Sequence, residues 1–150
     1  MEDKYYIRDK VRSILMEDPS LFPAFKTSFV DAKTISHVIY KYPNLIAHVK
    51  NPGFELCKMA VELEPATIKS IPSKYQKPLK MIACKKNPEL IGYFLEESWS
   101  HDEILELIDY RPSSVRYFKN IGKRYIKYAI SLDPNLELYY PCLLYTSDAA

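Results

Sequence analysis

Six prolines recur at nearly constant intervals in this 150-residue chain, and that rhythm restricts the folds open to it more than any other feature. Pro19, Pro43, Pro65, Pro88, Pro112 and Pro134 are separated by 24, 22, 23, 24 and 22 residues. A period of about 20 to 50 residues belongs to stacked architectures, in which each unit covers an apolar face that its neighbour cannot bury alone. The same residue classes surround every proline. Five and four residues before it stand Ile14 and Leu15, Val38 and Ile39, Ala60 and Val61, Ala83 and Cys84, Leu107 and Ile108, and Ala129 and Ile130. Three residues after it stand Phe22, Ile46, Ile68, Ile91 and Val115, and six after it Phe25, Val49, Ile71, Phe94, Phe118 and Tyr140. Spacings of three and four on both sides give each unit two amphipathic helices.

The proline is the joint between them. It fits a first helical turn because it has no N–H to leave unpaired, and it pushes its predecessor out of the α region, so the preceding helix must end there. Asp18, Asn87 and Asp133 precede three of the prolines and are good N-caps, whereas Tyr42, Glu64 and Arg111 are poor ones. Asp31 and Asn51 are expected to cap two further helices. Ser100 and Glu103 have capping-box spacing, with Trp99 placed to staple onto Ile104. Pro72, Pro78 and Gly122 are read as lying between units. The first unit is atypical, because Pro23 falls inside its second helix, where a proline costs about 3 kcal/mol. The pattern predicts an all-α chain, a right-handed-type α-solenoid of about six two-helix repeats with a period of about 23 residues. Ile39, Val61, Ile68, Ile91, Phe94, Ile108, Val115 and Phe118 are its expected core.

The organisation expected is one array over residues 1–141, its last unit truncated. The final nine residues, CLLYTSDAA from Cys142 to Ala150, match the translation of a transposon-end adapter used in sequencing libraries. They are read as foreign to the fold, and the gene as continuing past this point.

The stretch ELCKMAVELEPATIKSIP from Glu55, with NPELIGYF from Asn87 and PSSVRYF from Pro112, resembles the short helical repeat known as domain of unknown function 4116. That resemblance covers most of residues 30–140. It implies a helical-repeat fold and a bacterial, phage or viral source, and it implies no activity. Members of that family commonly carry Tyr five residues after the turn. Tyr93, Tyr117 and Tyr139 match, while Ala24, His48 and Ser70 do not, which argues against a uniform aromatic ladder.

Charge names no partner, since 21 basic and 19 acidic residues leave a formal +2. Two cysteines outside the tail, Cys57 and Cys84, occupy positions that are aliphatic in other units and read as small buried hydrophobes rather than redox or metal groups. No apolar run is long enough to cross a membrane, and the opening MEDKYYIRDK is polar, so a cytoplasmic chain without a membrane partner is expected.

Three constellations invite chemistry. Cations alternate with aromatics from Tyr110 to Tyr128, where Arg111, Arg116, Lys119, Lys123, Arg124 and Lys127 offer phosphate contacts beside stacking surfaces. A second basic group, Lys74, Lys77, Lys80, Lys85 and Lys86, would add to it if both lined one groove, although Lys85 and Lys86 also suit the negative end of their own helix. Ser100, His101 and Asp102 name the residues of a nucleophilic triad. Neighbours at a helix start project apart, however, and capping explains them better. His37, His48 and His101 lack the paired spacing of zinc ligands. No pair of titratable groups is placed to have its pKa values driven apart, so an enzyme is not expected and neither is a cofactor. The reading is a non-enzymatic interaction or structural module that binds another protein. The alternative is a nucleic-acid-binding accessory protein using segments 74–86 and 111–127.

Overall fold

The computed structural model describes residues 2–142, and every regular element among them is helical. Six α-helices, α1 (Glu2–Glu17), α2 (Ala32–Lys41), α3 (Phe54–Leu63), α4 (Ser73–Lys86), α5 (His101–Tyr110) and α6 (Lys123–Leu132), each end two residues before one of the six prolines. Each proline then opens a six-residue 3-10 helix: Pro19–Ala24, Pro43–His48, Pro65–Ser70, Pro88–Tyr93, Pro112–Tyr117 and Pro134–Tyr139. The second helix of every unit is thus 3-10 rather than α. Apolar residues three and six after the proline suit that geometry, because side chains three apart eclipse in a helix of three residues per turn.

One residue joins the two helices of each repeat. The residue before the proline has φ −136° at Asp18, −135° at Tyr42, −138° at Glu64, −134° at Asn87, −152° at Arg111 and −140° at Asp133. Its carbonyl accepts the first 3-10 bond, from Leu21, Leu45, Thr67, Leu90, Ser114 and Leu136 in turn, at 2.9 to 3.2 Å. In five repeats its N–H also closes the α-helix, as in Tyr42 to Val38 and Glu64 to Ala60, both at 2.8 Å. Asp18, Asn87 and Asp133 add the expected side-chain caps, and Tyr42, Glu64 and Arg111 add none. At Glu64 the hydroxyl of Thr67 donates to the joint carbonyl instead, at 2.7 Å.

Contacts divide the chain into two compact units, Met1–Ala83 and Cys84–Ala150, with the boundary inside α4. Within the first, α1 packs on α2 and α2 on α3, and the 3-10 helices of successive repeats also touch. Within the second, α5 packs on α6 and Pro88–Tyr93 on Pro112–Tyr117. Of the twelve apolar residues four and five before the prolines, ten have no exposed surface. The two that escape are Ile14, 40% exposed in the first repeat, and Ile130, half-buried in the last. Leu21, two after its proline, is likewise 43% exposed, where Thr67, Leu90, Ser114 and Leu136 are buried.

Several expectations are corrected. Pro23 lies within the first 3-10 helix, so it removes one short-range bond instead of breaking an α-helix. Asn51 is not a cap: it sits at φ 51° in the left-handed region that Asn tolerates, and Gly53 precedes α3. Pro78 lies inside α4 and not between units. Other interior repeats have an α-helix of ten residues, which here corresponds to 77–86, so Pro78 falls at its second position and Ser73–Gln76 add an extra turn ahead of it. Phe94 is half-buried rather than core, while the other seven expected core residues are buried. The expectation for the tail lies outside the described residues except at Cys142, which is exposed with a free thiol.

Length varies ahead of the last ten residues of each α-helix, in the linkers and in the longer α1 and α4, which have 16 and 14 residues. The linkers after Ala24 and Tyr93 have seven residues, each holding a three-residue 3-10 turn (Thr27–Phe29 and Glu96–Ser98) and ending in a side-chain cap, Asp31 or Ser100. Those after His48 and Tyr117 have five and end in Gly53 and Gly122.

Ile68→Ala, at a fully buried site, is expected to destabilise by about 2 to 5 kcal/mol in urea titration, and Ile14→Ala by far less. Asp31 gives a second expectation. The Thr34 N–H, at 2.8 Å, and then the Arg12 guanidinium hold its carboxyl at about 2. A depressed carboxylate stabilises the fold above the ordinary range near pH 4 and loses that contribution as pH falls through about 2. The stability gap between wild type and Asp31→Asn, which keeps a capping oxygen but not the charge, should therefore be present at neutral pH and close in strong acid.

Candidate functional site

The six candidate cations occupy four settings in residues 110–139. Arg111 is the joint residue after α5, its guanidinium 6.0 Å from the centre of the Tyr110 ring. Arg116, in the 3-10 helix Pro112–Tyr117, lies over the ring of Tyr139 at 3.6 Å, a close cation–π stack. Lys119 is exposed in the linker that follows. Lys123, Arg124 and Lys127 share the outward face of α6, since steps of three and four residues return to one side of a helix. Arg124 lies 4.7 Å from the Tyr125 ring centre and donates to the Tyr125 hydroxyl at 2.9 Å, and that hydroxyl is 2.8 Å from Nδ1 of His101.

The basic face of α6 therefore does not stand alone. On α5, which packs against it, Asp102, Glu106 and Asp109 are exposed, and Tyr128 of α6 donates to Asp109 at 2.5 Å. In the second basic group Lys80 is buried, at the stripe position held by Val11, Cys57, Ile104 and Ile126 in other repeats, so it contributes nothing to a charged surface. Lys85 bonds Glu106 at 2.5 Å and lies 5.6 Å from the Tyr110 ring centre. Lys74, Lys77 and Lys86 are exposed.

Sequence reasoning missed a cleft of about 240 Å³ between the turns Ile91–Glu97 and Tyr117–Asn120. Tyr93, Phe94 and Tyr117 line it, with Leu95, 76% exposed, beside them. Its ends are tied where the Asn120 N–H donates to Glu96 at 2.5 Å. Behind it runs an edge-to-face series from Tyr93 to Phe94, Phe94 to Trp99 and Trp99 to Phe118, with ring centres 5.1 to 5.8 Å apart. The missed signal is positional, because the polar partners here and elsewhere stand about one period apart: Arg12 with Asp31, Lys85 with Glu106, Glu96 with Asn120 and His101 with Tyr125.

The triad-like run resolves as capping. Ser100 Oγ accepts from the Glu103 N–H at 3.2 Å and Glu103 accepts from the Ser100 N–H at 2.9 Å, completing the box. His37 and His48 lie on the two helices of one repeat, in α2 and at the end of Pro43–His48, and His101 starts α5 three repeats further on. Among the described residues no group of three or more His, Cys, Asp or Glu could hold a metal ion. Cys57 and Cys84 are fully buried and in no disulfide, and burial pushes the Cys57 thiol above its ordinary range. No described helix is long and apolar enough to cross a membrane. Comparison with protein-family models, curated proteins and solved structures finds no match.

The Asp109 carboxylate holds the Tyr128 hydroxyl above its ordinary range by accepting its proton in a hydrogen bond and by repelling the phenolate. Asp109→Asn should let Tyr128 ionise at lower pH, back toward about 10, in an NMR titration of ring-labelled tyrosine.

Proposed function

We propose that this chain is a non-enzymatic helical-repeat interaction module whose partner is another protein. In this reading its repeats form a right-handed-type α-solenoid related to the domain of unknown function 4116 family, working without a cofactor in the cytoplasm of a bacterium or an infected cell. The observation that carries it is the division of labour within each repeat. Identical positions around the proline supply the interfaces, and the outward positions change from repeat to repeat, as a surface shaped by a partner would.

The nucleic-acid reading draws on Lys123, Arg124 and Lys127, which do share one face. Against it stand the acidic face of the adjoining α5 and the engagement of Arg116 and Arg124 with tyrosine rings of their own surface. A cation already stacked and flanked by carboxylates releases fewer counterions when it meets a phosphate.

Fluorescence anisotropy with labelled single-stranded and duplex DNA separates the two. The interaction module should show weak, non-specific binding or none at physiological salt. Micromolar binding that is weakened by neutralising Arg116, Lys119, Lys123, Arg124 or Lys127 one at a time, each with a log-salt slope shallower by about 0.9 per lost duplex phosphate contact, and abolished when all five are neutralised, would reverse the assignment.

A further inference from the structure

The geometry points to a recognition groove on the first compact unit, where α2 meets α3, that takes a tyrosine side chain of a partner protein. It rests on the interaction-module reading and gives that partner its chemistry. The groove has a volume of about 250 Å³, with Ala32, Ile35 and Leu56 in its lining and Ser36, Lys50 and Asn51 exposed along its edge.

The chain itself shows what such a place holds. Phe54 is the first residue of α3, and its ring meets Tyr75 of α4 edge-to-face with centres 5.6 Å apart. His101 is the first residue of α5, and its ring meets Tyr125 of α6, again at 5.6 Å. A cation lies over each of these tyrosines, Lys74 at 4.9 Å and Arg124 at 4.7 Å from the ring centre. Ala32 is the first residue of α2 and offers no ring, while Leu56 stands nine residues before its proline, where Tyr125 stands before its own. A tyrosine thus closes two junctions, and at the third the smaller pair Ala32 and Leu56 leaves the space open. Beside Ile104 and Tyr125, the counterparts of Ile35 and Leu56, the cavity is down to about 140 Å³.

Charge selects a ring over a plain apolar group. The lining holds a single charged residue, Lys50, which is exposed. An aromatic ring is negative on its faces, so Lys50 supplies the cation that Lys74 and Arg124 supply at the closed junctions. An aliphatic side chain would gain nothing from that cation, and a carboxylate would have to shed its water against half-buried Ile35 and Leu56. A tyrosine with its ring on Ile35 and Leu56 keeps its hydroxyl for the polar edge of Ser36 and Asn51.

The test is an NMR titration of the whole methyl-labelled chain with N-acetyltyrosinamide, beside the cyclohexylalanine analogue, which has the shape of the ring without its π electrons. Saturable shifts are expected at the methyls of Ala32, Ile35 and Leu56 and none at Ile104, whose groove Tyr125 already fills. The tyrosine compound should bind roughly two- to fivefold tighter than its analogue, and Lys50→Met should bring the two to parity. Leu56→Tyr, which supplies the ring from within, should abolish the shifts at Ala32 and Ile35. Ala32→His fills the groove from the exposed start of α2 and should do the same, so the result does not hang on one variant folding, which circular dichroism checks for each. Absence of saturable shifts at the three methyls, equal affinity for both compounds, or binding that survives both filling variants would overturn the groove. The interaction-module reading would outlast that loss, and falls only to the DNA binding that reverses it.

Discussion

The residue before each proline is the constraint on which the rest of the structure depends. Steric conflict with the proline ring holds it extended, so its N–H can end one helix while its carbonyl starts another. The six φ values, within 18° of one another from Asn87 to Arg111, show the same joint made six times from five different residue types. That tolerance is expected if the following ring, and not the joint's own side chain, sets the bend. The bend in turn brings the end of an α-helix and the start of a 3-10 helix into one layer, where Val61 and Ile68 or Ile108 and Val115 are buried together.

Neither helix of a repeat is long enough to persist alone in water, so stability has to come from neighbours. In the first described repeat Ile14 and Leu21 are exposed at positions that are buried in most other repeats. Polar links between repeats, such as Lys85 with Glu106, are exposed and contribute about 0 to 1 kcal/mol each, so they set alignment more than stability. The stripe also accepts polar residues where their atoms are satisfied. Thr67 is buried with its hydroxyl on the Glu64 carbonyl, and Lys80, also partnered, takes a place filled by aliphatic residues elsewhere.

Much of this was readable from the chain alone, because prolines and apolar residues at fixed distances translate directly into joints and core. The six helix breaks, three of the joint caps, the capping box at Ser100 and seven of eight core residues follow from that spacing. The 3-10 character of the second helices did not, since an apolar pair three apart fits either helix type. Pro78 misled because a proline within a helix looks the same in sequence as one between helices, and only the ten-residue frame of the other repeats explains its place. Lys80 and Phe94 show the limit of residue type as a guide: a lysine went inside and a phenylalanine stayed half out. At the candidate surface the cations were visible in sequence, but their neighbours were not. Tyr139 under Arg116 and the acids of α5 beside α6 become adjacent only through stacking.

The confinement of length changes to the stretch ahead of each ten-residue helical block has an evolutionary consequence. Over the last ten residues of an α-helix and the 3-10 helix that follows, the register is fixed, so any two repeats of this kind are in phase wherever they are aligned on the proline. Unequal crossing-over within that block would yield a hybrid with one old face toward each neighbour, and a gene built this way can gain or lose copies without passing through a misfolded intermediate. Surface positions such as those of Tyr93, Tyr117 and Tyr139 would then spread by copying as well as by mutation.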